Sequence, residues 1–179
     1  MKYDVTRAQY VSSMCFVCGS DNPVSLRAQF LETTEGEVIG VFQPGEVHQS
    51  YPGRVHGGVS AAMLDELMGR AVNVDEPDTW SVTVDLSTRY RKPVPYDQPV
   101  QARARVTKNG SRMYEAAGEI VLADGTVAVE ATGRYLKMPV EKIVESVGID
   151  VEVDDVIYPD SRPIPNAVDL AGGLKGRCC

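Results

Sequence analysis

"HGGVSAAMLDELMG", residues 56–69, decides how the rest of the chain is read. Its small and apolar residues predict a helix bound for a core, running over 57–74. Gly57 and Gly58 are poor helix-interior residues, but they suit a first turn whose backbone N–H groups must face a ligand. Those N–H groups point outward and the helix dipole adds positive potential, so the turn is a ready anion or oxyanion site. Two carboxylates then sit side by side. Glu66 has Arg70 at i+4, a favourable surface pair worth roughly 0.3–0.5 kcal/mol. Asp65 has Ala61 and Gly69 at i±4 and Ala62 and Met68 at i±3, a small and apolar stripe with no basic helical partner. Desolvation would raise its pKa unless something hydrogen-bonds it. Asp65 therefore reads either as a base or nucleophile or as a solvent-facing or loop-capping carboxylate.

Outward from the helix, the apolar spacing turns to period two. Upstream, Leu26, Ala28 and Phe30, then Val38, Gly40 and Phe42, predict two strands joined at "TTEGE". Downstream come four more strands. One face carries Val82, Val84, Leu86, Thr88 and Tyr90. The next carry Val100, Ala102, Ala104 and Val106, then Tyr114, Ala116, Gly118, Ile120 and Leu122, then Val127, Val129, Ala131 and Gly133. Asp124-Gly125 is a two-residue hairpin signal that would pair Leu122 with Val127 and Ile120 with Val129. At "KNGSR" a two-residue turn would put Glu115 opposite Ala104 on the core face. A three-residue loop at 109–111 is therefore expected, pairing Val106 with Tyr114 and Arg105 with Glu115. The result is an α+β domain over 25–139, one sheet with one central helix. A single helix covers part of one sheet face, and Ala117 and Val121 interrupt the polar faces. Strands or sheets are expected to meet across a dimer interface.

With 179 residues and 43% hydrophobic content, the chain can bury a real core. A net charge of −7 argues against nucleic acid. No apolar run is long enough for a membrane span. "MKYDVTRAQY" has no apolar h-region and there are four cysteines, so a reducing, cytoplasmic setting with free thiols is expected. There is no G-x-S-x-G elbow around Ser60 and no H-E-x-x-H metal spacing. His56, just before the helix, reads as a loop-holding residue.

The run "HQSYPGRVHGGVSAAMLDELMG" followed by "VTVDLSTRYRKPVP" resembles the hotdog-fold acyl-CoA thioesterases, specifically the phenylacetate-pathway type, over about residues 13–138. The resemblance implies a hotdog fold, a curved antiparallel sheet wrapped around one long helix. It also implies a homodimer, or a homotetramer built as a dimer of dimers, acting on acyl-CoA with no cofactor and no metal. By position, it makes Asp65 the nucleophile or general base and gives the Gly57 N–H to the thioester carbonyl, with His56 and Gly58 lining the substrate. Family members often carry Asn or Gln six residues before that His. Here Ser50 stands there with Gln49 beside it, which leaves open which of the two contributes. Thr83 falls at a Ser/Thr position on the strand after the helix. Its place opposite Val82 and Val84 would let it reach a site only across a dimer. Arg89, Arg91, Lys92, Lys108 and Arg112 are candidates for the CoA phosphates.

"CFVCG" at 15–19 offers two thiols, short of the four ligands a structural zinc needs, and a similar lead-in in related thioesterases suggests packing or a tight turn. Residues 1–24 read as a lead-in and 140–179 as a C-terminal extension. Within it, "EKIVESVGIDVEVDDVIYPD" could add a strand or lie over the sheet, and "SRPIPNAVDLAGGLKGRCC" reads as mobile. Two other functions compete with hydrolysis. A hotdog hydratase or dehydratase would need a His paired with an acid, and His56 is the one candidate. A protein that binds acyl thioesters without turnover would fit the loss of Asn or Gln at Ser50.

Overall fold

The computed structural model describes residues 1–77, 79–145 and 157–170. The element order is β1 (Lys2–Ala8), β2 (Val11–Ser12), β3 (Gln29–Thr33), β4 (Val38–Phe42), α1 (Gly57–Arg70), β5 (Ser81–Tyr90), β6 (Val100–Asn109), β7 (Met113–Val121), β8 (Val127–Lys137), α2 (Val140–Glu145), β9 (Ile157–Tyr158) and β10 (Ala167–Asp169). A 3-10 turn at Glu46–His48 precedes α1 and another, Ala71–Val74, finishes it, so the helical signal over 57–74 resolves into two segments. Eight strands form one sheet in the order β10-β1-β3-β4-β6-β7-β8-β5, and β2 pairs separately with β9. This is the expected α+β arrangement, an antiparallel sheet carrying one long helix. Among the described residues no helix is long and apolar enough to cross a membrane.

Met63, Leu64, Leu67 and Met68 are fully buried on one side of α1. They pack on the inward side chains of the strands, with Phe30, Phe42, Ala102, Ala116, Ile120 and Val129 in the same core. Glycines let the helix lie close. A Cβ on Gly40 would meet the Phe42 ring at 2.6 Å and Leu67 Cδ1 at 3.1 Å, and one on Gly118 would meet Met68 Cγ at 3.0 Å. Leu26, Ala28 and Phe30 are all buried, although the strand itself starts only at Gln29.

Three expectations change. At the 107–113 turn the observed register pairs Val106 with Ala116 and Arg105 with Ala117, not with Tyr114 and Glu115. An irregularity between Val106 and Lys108 takes up the difference, and because the offset is two residues each side chain keeps its expected face. At the Asp124-Gly125 turn Ile120 does pair with Val129, but Val127 pairs with Val121 rather than Leu122, across a second irregularity. Val121 is covered within the chain. It packs with Tyr3, Leu31, Ile39, Val168 and Leu170 in a small second core on the outer sheet face.

Strands β1 and β10 supply two of those residues, Tyr3 and Val168, and Leu170 follows β10 directly. Residues 1–24 thus contribute a sheet strand, and Tyr3 pairs with Val168. Leu170 N–H donates to the Met1 carbonyl at 2.8 Å. Ala167–Asp169, part of the stretch read as mobile, is held by this pairing, while 171–179 lie outside the described residues. Ile157–Tyr158 adds the strand suggested for the extension, against β2.

Candidate active site

Asp65 is half-buried on α1 and is met from two strands. Thr83 Oγ1 on β5 donates to its Oδ1 at 2.9 Å. Tyr135 Oη on β8 donates to the same oxygen at 3.2 Å and lies 3.3 Å from the Asp65 carbonyl. The apolar stripe thus carries a carboxylate that is hydrogen-bonded, as its lack of a helical partner required. Burial, then the charge and hydrogen bond of Asp65, push the Tyr135 phenol above its ordinary range, so it stays a donor at neutral pH. Its ring stacks on Tyr114 with centroids 5.0 Å apart. Tyr114 Oη lies 2.6 Å from the Gly69 carbonyl and 2.7 Å from Ser81 Oγ. The two tyrosines therefore tie the middle of the helix to the sheet.

The placement of Thr83 corrects an expectation. Thr83 pairs with Tyr135 and Asp85 with Arg134, so Val84 is an extra residue in β5. This bulge resets the alternation. Thr83 shares the helix face with Leu86 and Thr88, and it reaches Asp65 in its own chain. Val84, expected on the inner face, is 52% exposed. Tyr135 continues the Val129, Ala131, Gly133 face by one more step of the same period-two spacing.

Asp65, Glu66, Thr83, Tyr135, Trp80 and Arg70 line a pocket of about 280 Å³. Glu66 holds Arg70 at 2.8 Å, the expected i,i+4 pair. Both side chains are mostly covered, at 29% and 18% exposure, so this is a pocket wall and not a solvated surface pair.

The helix start lies elsewhere. His56 is the N-cap and its Nδ1 accepts the Gly58 N–H at 3.0 Å. The proton of a neutral His56 is therefore on Nε2. The Val59 and Ser60 N–H groups are taken by the His56 carbonyl. Among the described residues the Gly57 N–H has no hydrogen-bond partner. Tyr90 Oη donates to the Gly57 carbonyl at 2.9 Å and sets one wall beside it. Gly57, Ser50, Arg54, Tyr90, Arg91 and Lys92 line a second pocket, of about 360 Å³. Eight helical steps separate Gly57 from Asp65, about 12 Å at ~1.5 Å per residue, and the two line different pockets of one chain.

Of the pair before the helix, Ser50 is exposed in the Gly57 pocket, while Gln49 Oε1 accepts from Tyr96 Oη at 3.3 Å. Arg91 pairs with Glu130 at 3.0 Å and Lys108 with Glu115 at 3.7 Å, both on the surface. Lys92, Arg89 and Arg112 are exposed. Arg54 lines the same pocket as Gly57, and nothing in its sequence spacing marks it. Cys15 and Cys18 are free thiols in a tight turn.

The family model of the thioesterase superfamily matches residues 52–129, which run from the loop before α1 into β8. The acyl-coenzyme A thioesterase THEM4 of Mus musculus is 28% identical over 116 residues, 64% of this chain and 49% of that protein. The chain thus spans about half the length of the curated relative it matches. A thioesterase superfamily protein of known crystal structure is 32% identical, with a TM-score of 0.63 over 70% of this chain and 61% of that one. The E. coli PaaI protein, from the phenylacetic acid degradation operon, has a TM-score of 0.57 at 17% identity, covering 63% of this chain and 80% of that one. At that identity the likeness is one of fold. Sheet order and central helix agree with a hotdog fold, and across the matched segment the chain is similar to the thioesterase superfamily.

Proposed function

We propose that the chain hydrolyses acyl-CoA thioesters to the free acid and CoA, in the cytoplasm, as a homodimer or a dimer of dimers. The observation that carries this reading is the Asp65 carboxylate, hydrogen-bonded by Thr83 and Tyr135 at the wall of a pocket. A carboxylate fixed in this way keeps one oxygen for its donors and can turn the other to a water or to a thioester carbonyl carbon. The second half of the chemistry is an oxyanion site. The Gly57 N–H, without a partner among the described residues and at the positive end of α1, suits that role. His56 positions it by capping the helix, and Gly58 closes that cap.

The separation of Gly57 from Asp65 favours a composite site, with Asp65 of one subunit facing Gly57 of another. Strand β5 supports this. It is a ten-residue strand at the sheet edge with Val84 exposed on it, and such an edge offers unpaired N–H and C=O groups to a second copy. In this arrangement the acyl chain lies beside Trp80 in the Asp65 pocket. CoA runs out past Ser50 and Gly57, with its phosphates toward Arg54, Arg91 and Lys92. Gln49 holds the loop through Tyr96. The similarity to a protein named acyl-coenzyme A thioesterase points to the same substrate class.

Free-thiol release from a panel of aromatic and aliphatic acyl-CoAs, by wild type and by Asp65→Asn, tests this. Release by wild type alone supports hydrolysis. Binding of acyl-CoA without release by the folded protein would replace hydrolysis with a carrier role. Dehydration of a 3-hydroxyacyl thioester without thiol release would favour a lyase.

A further inference from the structure

The Cys15–Cys18 turn is not used in the function proposed above, yet it packs against the helix that carries Asp65. Cys15 Sγ accepts the N–H groups of Val17 at 3.3 Å and Cys18 at 3.5 Å. The Gly19 N–H closes the turn on the Cys15 carbonyl at 2.8 Å. A Cβ on Gly19 would lie 2.4 Å from that carbonyl oxygen, so glycine is what permits the closure. Cys18 is 3% exposed, while Cys15 is partly open to solvent. From α1, Arg70 Nη2 reaches Cys18 Sγ at 3.5 Å. The donor atoms of Cys15, Cys18 and Glu66 all lie within 4.8 Å of one another.

We propose that Cys15 and Cys18 form an oxidisable dithiol, a modification site at which a hydroperoxide converts the pair to an intramolecular disulfide. The hydrogen bond from the Cys18 thiol, helped by the two backbone N–H groups, draws the Cys15 thiol down to about 7. Much of it is thiolate at neutral pH, and the thiolate is the nucleophile. That same hydrogen bond, then burial, pushes the Cys18 thiol up. The roles follow: Cys15, open and ionised, attacks, and Cys18, buried and protonated, resolves.

In the first step Cys15 sulfur takes the terminal oxygen of the hydroperoxide. The O–O bond breaks, sulfur is oxidised by two electrons to a sulfenic acid, and the alkoxide leaves and is protonated by water. In the second step Cys18 sulfur attacks Cys15 sulfur. The S–O bond breaks, and the departing hydroxide carries off the Cys18 proton as water. The sum is two thiols and a hydroperoxide giving a disulfide, an alcohol and water.

A metal is the competing use of these donors. Glu66 is already held by Arg70 at 2.8 Å, and the guanidinium supplies the positive charge that faces Cys18 sulfur. Arg70 and Glu66 also line the Asp65 pocket, so loss of the Cys18 acceptor on oxidation is felt at the pocket wall. The proposal itself does not depend on the acyl chemistry.

The test uses the full chain with Cys178→Ser and Cys179→Ser, which leaves Cys15 and Cys18 as its only thiols. Hydrogen peroxide is expected to produce a Cys15–Cys18 disulfide, mapped by peptide mass spectrometry and reversed by dithiothreitol. Adding Cys18→Ser should stop the reaction at a dimedone-trapped Cys15 sulfenic acid, and adding Cys15→Ser should give no adduct. Should the Cys18 variant fail to fold, alkylation of Cys15 by iodoacetamide in the two-thiol chain gives a second readout. Its rate should rise about tenfold from pH 6 to 8 and then level, where an ordinary thiol keeps accelerating. The proposal is overturned if the folded chain forms no disulfide in excess peroxide. It is equally overturned if one equivalent of Zn(II) binds through both thiols and blocks oxidation.

Discussion

Thr83 on β5 and Asp65 on α1 are joined by a 2.9 Å hydrogen bond within one chain. It exists because Val84 is an extra residue in its strand. Loss of one hydrogen bond to a charged acceptor costs about 1.5–3 kcal/mol. Thr83→Val should therefore lower kcat about 10- to 100-fold with little change in KM, and Tyr135→Phe should act in the same direction. Asp65→Asn removes the proposed base and should cost about 10²–10⁴-fold. Steady-state thiol release from acyl-CoA, with circular dichroism as the folding control, measures all three. A Thr83→Val enzyme with full kcat would show that the bond is only structural.

The Gly57 N–H, without a partner among the described residues, can be deleted almost alone. Gly57 is the first residue of α1, where proline is tolerated because no intrahelical bond is lost. The preceding His56 has φ −62° and ψ 139°, a conformation already suited to precede proline. Gly57→Pro should fold with near wild-type Tm. If that N–H is an oxyanion donor, kcat should fall by about 10²–10³-fold. Comparison with Gly57→Ala, which keeps the N–H and sets a Cβ in ordinary contact with the Tyr90 ring at 3.5 Å, separates the donor from the steric change.

Val84 tests the composite site. Its side chain is 52% exposed on the sheet edge. Val84→Lys places a charge there without touching the Asp65–Thr83 bond, and charged residues on an edge oppose pairing with another chain. Sedimentation should show monomers, and activity should fall with the dimer fraction. A fully active monomer would sink the two-subunit reading while leaving Asp65 in place.

Alkali should weaken the fold through the stacked tyrosines. Burial pushes Tyr114 from its ordinary 10 up to about 12, against the hydrogen bond with Ser81. The folded chain then keeps a proton that the unfolded chain loses. Its contribution is fully present below pH 10 and is lost as pH rises to 12, about 2–3 kcal/mol from this residue. Tyr135 is shifted the same way. Urea midpoints between pH 9 and 12 should fall, and Tyr114→Phe should fall less steeply.

Much of this architecture is legible in the sequence, for physical reasons. Period-two spacing marks which side chains share a face. Those assignments hold on β6, on β7 and from Val129 onward on β8, even where the turn register is off by two residues, whereas Val127 falls opposite Val121 on the other face. Asp65 stands out because nothing on its own helix can pair with it. What was not legible is non-local or irregular. No local signal marks the bulge that turns Thr83 inward. Lys2–Ala8 and Ala167–Asp169 lie far apart in the chain, and neither looks like a strand until it is seen against the other. Glu66 near the Cys15–Cys18 turn is likewise a product of the fold, brought there by α1.

The two borders of the sheet are unequal. One is β5, ten residues long; the other, among the described residues, is β10, only three. A border that short offers a neighbour little to zip onto. If a second copy aligns along β5 by a two-fold axis, each molecule spends its one long border on the other, and both remaining borders are blunt. Such growth is self-terminating. The pair would be a finished object in solution, protected from running on into fibres by the same terminal strands that cover Val121.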